Sequence, residues 1–572
     1  MARTAQEVRG DDAHAPTTTI APPPFNKSSA DTVLRTADHV NFRVRRAILE
    51  EASVVFADMF LLPQPSPGQD DRGPTEDMLS GLRSGIHLDE LKPVLEAARK
   101  YLMDHVIEVL NKPLVLLAVA HPLQAYAVAV QFDLVDAARA AARLTLRYKD
   151  PCPFTRELDA IPATAYYHLQ AYRCKCAEAA CQAVRDLRWL DSASFVWFKM
   201  QTSWSYQSPS PSHQPPMANG STIEGAAQAG EPHVDDNAAQ SDTPPTAGPA
   251  PFNSTYTDIV LRSADHVDFH VWRGILREAS AFFANMFTDA DGGSSDAPLV
   301  PMTESSRTLE SLLRLCYPVP DPEFASIDDL KPVMVAARKY QMDYIMQVLT
   351  RRLLIFAEKT PLQAYAVALQ FDLVDAAKAA GRLTLRYDDP CPFTEELEVV
   401  PAAAYYRLLA YRRKCADVAC QAVRDLRWLD DASYVWFKTR QGTCTCPCAP
   451  DFYHPKGSKI YITQWYQKHL DRVAAALSAK PYRDTVEAEE LQGDQMFQDA
   501  SSCNASCRAS IHPHTRKFMS RLAVEVDKRV SAIDLEITTV DIADIVATKD
   551  DEAIGDVRFA VRVERLKFSP FQ

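Results

Sequence analysis

At 572 residues the chain is about four times the length of a typical domain, which excludes a single hydrophobic core. Its 47% hydrophobic and 24% charged residues make a globular composition, which excludes disorder throughout. A formal charge of −13 argues against nucleic acid as a partner held by broad electrostatic attraction, and 13 Cys are too sparse, and odd in number, for a disulfide scaffold.

Sparse cysteine places the chain in a reducing, intracellular compartment, cytoplasmic or nuclear. The longest apolar run, Leu114 to Ala120, is far short of a membrane span, so no membrane association is expected. Residues 1–24 and 201–251 are crowded with Pro, Ser, Gly and Ala and nearly empty of large apolar side chains, and they read as a disordered N-terminus and a disordered linker. Around the linker lie two copies of one sequence. Pro122 to Lys199 reappears as Pro361 to Lys438 at a constant shift of 239 with about 16 substitutions, and Asp31 to Phe60 matches Asp258 to Phe287 at a shift of 227. That period is too long for a solenoid, so the reading is tandem domains over 25–200 and 252–440, followed by a mainly helical C-terminal region, 441–572, expected to fold against the second copy. The first copy offers only GPTEDMLSGLRSGIHLDE where the second has a short strand at Leu299 and an amphipathic helix from Ser306, so its centre is degenerate.

In the second copy, Asp258 to Arg262 and Val267 to Val271 flank the polar turn Ser263-Ala264-Asp265-His266, which predicts a hairpin. Ile275, Ala279, Phe282, Phe283, Met286 and Phe287 recur at helical spacing and predict one helix ending at Thr288. Asp328 or Asp329 is placed to cap a helix carrying Leu330, Val333 and Met334, with Pro332 in its first turn. A single helix is predicted over Leu362 to Leu385. The fold class expected for each copy is α+β, a short sheet capped by helices with mainly helical extensions.

The order Asp258-Ile259-Val260, Phe269-x-Val271, Ser280-x-x-Phe283-x-x-Met286-Phe287, Leu312-Leu313-x-x-Cys316-Tyr317 and Ala336-Ala337-x-Lys339-Tyr340 resembles a BTB/POZ domain. The helices beyond it resemble the extension found in many basidiomycete-type fungal relatives. Where the family usually carries His after Phe-x-Val, this chain has Arg45 in the first copy and Trp272 in the second. The resemblance implies a protein-interaction module, often dimeric, with Asp258, Phe269, Trp272, Phe283, Met286, Phe287 and Tyr317 as the residues of interaction. Expected partners are proteins: the chain itself, one copy against the other, or a cullin scaffold of a ubiquitin ligase, for which the chain would be a substrate adaptor.

Chemistry has little support. GxSxG, Cys-protease, GxGxxG, Walker and HExxH patterns are all missing, so a non-enzymatic chain without a cofactor is expected. Cys391, Cys415 and Cys420 read as packed small side chains. In the third region Cys444, Cys446 and Cys448 alternate, His454 follows, and Cys503 and Cys507 lie four apart. Alternate strand positions and i, i+4 helix positions each share a face, so these six could converge on a structural zinc and support a transcriptional regulator; free or redox-labile thiols are the other reading. The aromatic pairs Trp189/Trp428 and Trp197/Trp436 read as core in preference to a base-stacking platform.

Overall fold

The computed structural model describes residues 19–36, 39–61, 88–148, 152–185, 246–254, 256–288, 298–388, 391–429, 434–438, 448–453, 459–492, 494–500 and 505–537. They form two compact units, one comprising Met1–Arg173 with Leu354–Gln572 and the other Cys174–Leu353.

The first unit opens with a three-stranded sheet. β1 (Thr19–Ile20) runs parallel to β3 (Val40–Val44), and β3 pairs antiparallel with β2 (Thr32–Arg35), giving the order β1-β3-β2. α1 (Arg46–Ala52) and α2 (Val54–Leu61) follow, then α3 (Leu88–Lys100), α4 (Asp104–Leu117), α5 (Pro122–Gln131), α6 (Val135–Thr145) and the start of the long α7 (Ala163–Arg185).

The second unit repeats this opening and completes it. β4 (Thr246–Ala247), β5 (Ile259–Arg262), β6 (Val267–Val271) and β7 (Leu299–Pro301) form a sheet of order β4-β6-β5-β7. The predicted hairpin is β5 and β6, paired antiparallel with Ile259 opposite Val271, and its turn closes through His266 at φ 60. α8 (Arg273–Ala279), α9 (Ala281–Thr288), α10 (Ser306–Cys316), α11 (Ile327–Lys339) and α12 (Asp343–Ala357) follow. Leu309, Leu312 and Leu313 of α10 are buried at three- and four-residue spacing, the apolar stripe that seats an amphipathic helix. The fold class is α+β.

Three local expectations are corrected. The helix predicted through Phe287 is two helices broken at Ser280, whose backbone is extended at φ −149 and ψ 122 and whose hydroxyl is bonded to Tyr340 and Phe283 main-chain groups. The cap of α11 is Ser326, whose hydroxyl accepts from Asp329 N–H at 3.4 Å, while Asp328 and Asp329 occupy its first turn and Pro332 its sixth position. The helix expected over Leu362 to Leu385 is likewise two, α13 (Pro361–Gln370) and α14 (Val374–Leu383), turned by Asp372 at φ 57. Strands β1 and β4 also fall inside stretches read as unfolded from composition. They are held by main-chain bonds, Thr19 N–H to His39 at 3.1 Å and Gly248 N–H to Asp268 at 2.8 Å, to which side-chain composition is blind.

The rest of the first unit is α13, α14, α15 (Ala402–Arg424), β8 (Phe437–Lys438), β9 (Cys448–Tyr453), β10 (Lys459–Thr463), α16 (Gln464–Ala479), the short α17 (Arg483–Glu487), α18 (Glu489–Gln492) and α19 (Asp494–Asp499), and α20 (Ala505–Ser531). α16 and α20 pack on α15. Trp436 is fully buried there, stacked on Tyr466 at 3.7 Å, the core role read for it; Trp189 and Trp197 lie outside the described residues. No helix among the described residues is long and apolar enough to cross a membrane.

Candidate protein-interaction surfaces

The predicted interaction residues of the second unit separate into frame and surface. Phe269, Phe283 and Phe287 are buried, Phe283 stacking on Tyr340 at 5.2 Å and on Phe287 at 5.8 Å, so these three hold the surface in place from beneath. Asp258 carries a backbone role: its Oδ1 accepts from Arg273 N–H at 2.7 Å at the start of α8. Met286 and Tyr317 are half-buried, and Trp272 is 45% exposed. The Trp272 N–H donates to Tyr317 Oη at 2.8 Å, and the Tyr317 ring meets Phe252 edge-on at 5.2 Å. Trp272 and Tyr317 are therefore brought together by a hydrogen bond across 45 residues, while the indole itself projects into solvent.

Electrostatics stiffen this body. Asp265 in the hairpin turn accepts from Ser306 N–H at 2.7 Å and from its hydroxyl at 2.6 Å, and the Ser263 and Ser306 hydroxyls hold its carboxyl down to about 2. Burial pushes the Tyr340 phenol up to about 12, reinforced by Glu304, to which it donates. The Cys316 thiol is pushed up to about 12 by burial and Cys415 to about 11, the opposite of an activated thiolate.

In the first unit the matching frame residues are less covered among the described residues. Leu34, Phe42, Val44, Leu49, Tyr101 and Met103 line an apolar cavity of about 150 Å3 and are half-buried. Their counterparts in the second unit, Leu261, Phe269, Val271, Leu276, Tyr340 and Met342, are buried, in a unit where α10 lays its leucines against α8 and α11. β2 has no strand on its outer edge among the described residues, whereas β5 in the same place pairs with β7. The segment of the first copy read as degenerate lies outside the described residues.

Of the predicted metal ligands, Cys444, Cys446, His454 and Cys503 lie outside the described residues; Cys448 begins β9 and Cys507 falls in the first turn of α20, with their side chains also outside. Among the described residues no cluster of three His, Cys, Asp or Glu is arranged to hold a metal.

Inside the first unit the two repeats, expected from the sequence to meet each other, do so through extension residues that sequence reasoning did not name. Tyr167 Oη donates to the Cys391 carbonyl at 2.9 Å, and Tyr406 Oη donates to the Cys152 carbonyl at 2.8 Å; each pair becomes the other when 239 is added to or taken from its residue numbers. A signal was available: five of the 16 substitutions between the copies, at positions 159, 160, 161, 164 and 168, fall in this one short stretch.

A hairpin completed by a parallel strand and flanked by paired helices over a packed core is the architecture of the second unit. Residues 250–354 match the family model of the BTB/POZ domain, so the chain carries a BTB/POZ domain there. No curated protein matches the chain.

Proposed function

We propose that the chain is a non-enzymatic protein-association scaffold that works through its BTB/POZ domain at the Trp272 surface. The observation that supports this is Trp272 itself: a large ring left half in water, on a main chain fixed by Tyr317 and by the adjoining Asp258 to Arg273 bond. A tryptophan side chain has only two rotatable bonds and offers a large area for a partner to cover, which is the property of an interface anchor. The partner proposed for this surface is a second copy of the chain. The first copy, whose β2 has no outer partner strand among the described residues and which lines an apolar cavity, is a reduced version of the same domain, suited to strand addition.

Sedimentation velocity of the full chain over a range of micromolar concentrations tests this. Trp272→Ala should weaken self-association by about tenfold, equivalent to about 1.4 kcal/mol, while the protein keeps its helical circular dichroism. Equal association of both proteins would overturn the assignment. Stoichiometric co-purification of the full chain with a cullin would replace the scaffold reading by the ligase-adaptor one.

A further inference from the structure

The contact between the repeats in the first unit has the form of a two-fold interface written into one chain. Ala163 N–H donates to the Val400 carbonyl at 2.7 Å and Ala402 N–H to the Ile161 carbonyl at 2.8 Å, around an antiparallel bridge of Pro162 with Pro401. Phe154 meets Tyr406 at 5.4 Å, and Phe393 meets Tyr167 at 5.3 Å. Tyr166 and Tyr405 face each other, both buried, at 6.2 Å. Each of these contacts maps onto its mirror, or onto itself, under the 239-residue shift. This is the isologous pattern of a homodimer, in which one patch meets its own copy.

The two ends of the interface are not equivalent. At one end the Thr164 hydroxyl donates to Glu398, and His168 stacks on Phe393 at 5.5 Å. At the other, position 403 is Ala and has no hydroxyl to give; Asp159 Oδ1 is buried without a hydrogen-bond partner, and Arg407, lying over Phe154 at 5.4 Å, supplies the charge that opposes its desolvation. Pairing two first copies would put Asp159 against Thr164 and His168 at both ends, with no arginine. Pairing two second copies would put Glu398 against Ala403 and Arg407 at both ends, a charge pair with no hydroxyl to donate.

We propose that the two extensions are complementary halves of a coupling in which unlike copies pair in preference to like ones, so that the partner this surface accepts is the opposite extension, from the same chain or from a second copy of it. Specificity then resides in Asp159, Thr164 and His168 set against Glu398, Ala403 and Arg407. This inference is independent of the Trp272 surface.

The test uses the full chain with a protease site inserted after residue 215, cut after folding. The halves should co-elute at a ratio of one to one and exchange, on mixing, with a size-tagged preparation of the opposite half but not of the same half. Tyr167→Phe with Tyr406→Phe, which removes two buried hydrogen bonds of about 1 kcal/mol each, should raise the dissociation constant of the cut halves by at least tenfold. Asp159→Glu with Thr164→Ala and His168→Arg, which gives the N-terminal half the second copy's three residues, should weaken its pairing with the C-terminal half and make it pair with the wild-type N-terminal half. Halves that separate at micromolar concentration while retaining their helical circular dichroism, or wild-type halves that pair with their own kind as readily as with the other, would overturn the proposal.

Discussion

The hydroxyl of Ser280 donates to the main-chain carbonyl of Tyr340 at 2.5 Å and accepts from Phe283 N–H at 3.0 Å. One buried side chain thus caps α9 and ties it to the end of α11. Ser53 and Tyr101 make the same bond in the first unit.

Replacing Ser280 by Ala removes a cap and leaves the Tyr340 carbonyl without that donor. A loss of about 2 kcal/mol is expected in urea denaturation followed by tryptophan fluorescence. A midpoint equal to that of wild type would show that the bond contributes nothing net.

Gly381 in α14 stands where the first repeat has Ala142. A Cβ added at Gly381 would lie 2.5 Å from Leu535 Cδ2, and Leu535 is buried. Gly381→Ala should therefore destabilise the first unit by overpacking, by about 1 to 3 kcal/mol, less the roughly 1 kcal/mol that alanine returns within a helix. In a Leu535→Ala background the same substitution should stabilise. A double-mutant cycle by thermal denaturation measures both, and additivity would contradict the contact.

His469 in α16 is fully buried beside Tyr466, and neither ring nitrogen has a hydrogen-bond partner. Burial, then the Arg472 charge, holds its pKa down to about 4, with Asp499 opposing. The unfolded chain takes up a proton near pH 6.5 and the folded one only near 4, so stability is intact above pH 6.5 and falls across that window, by about 3 kcal/mol in all. His469→Leu should flatten the urea midpoint against pH between 6.5 and 4. An undiminished slope would assign the acid sensitivity to other groups.

Asp265 gives the opposite test in the second unit. Its carboxyl, held down by Ser263 and Ser306, contributes stability above pH 3.8 that disappears as the pH falls toward 2. Asp265→Asn should remove that part of the acid transition. A variant whose transition below pH 4 matches wild type would deny the carboxylate its part in holding α10.

Much of the BTB/POZ frame was legible because it rests on local pattern. The β5 and β6 runs with a polar turn between them, and the leucine spacing of α10, are decided within a dozen residues. The helix breaks were not legible. Ser280 interrupts an unbroken apolar rhythm because its partner, Tyr340, is 60 residues away, and Asp372 turns the chain between two alanine-rich helices that periodicity joins. Among the proposed surface residues, type alone could not separate Phe283, which the Tyr340 ring covers, from Trp272, which stays 45% exposed.

Sequence by itself determined that this chain contains one pattern twice, and that the second occurrence carries the residue order of a BTB/POZ domain. Tertiary structure alone decided that the two extensions meet through Tyr167 and Tyr406, and that Leu34, Phe42 and Val44 line a cavity in the first unit. Repetition is carried by residue identity and spacing, which a chain displays when read end to end. Pairing depends on main-chain carbonyls such as those of Cys152 and Cys391, which every residue possesses and only folding brings within reach of a particular donor.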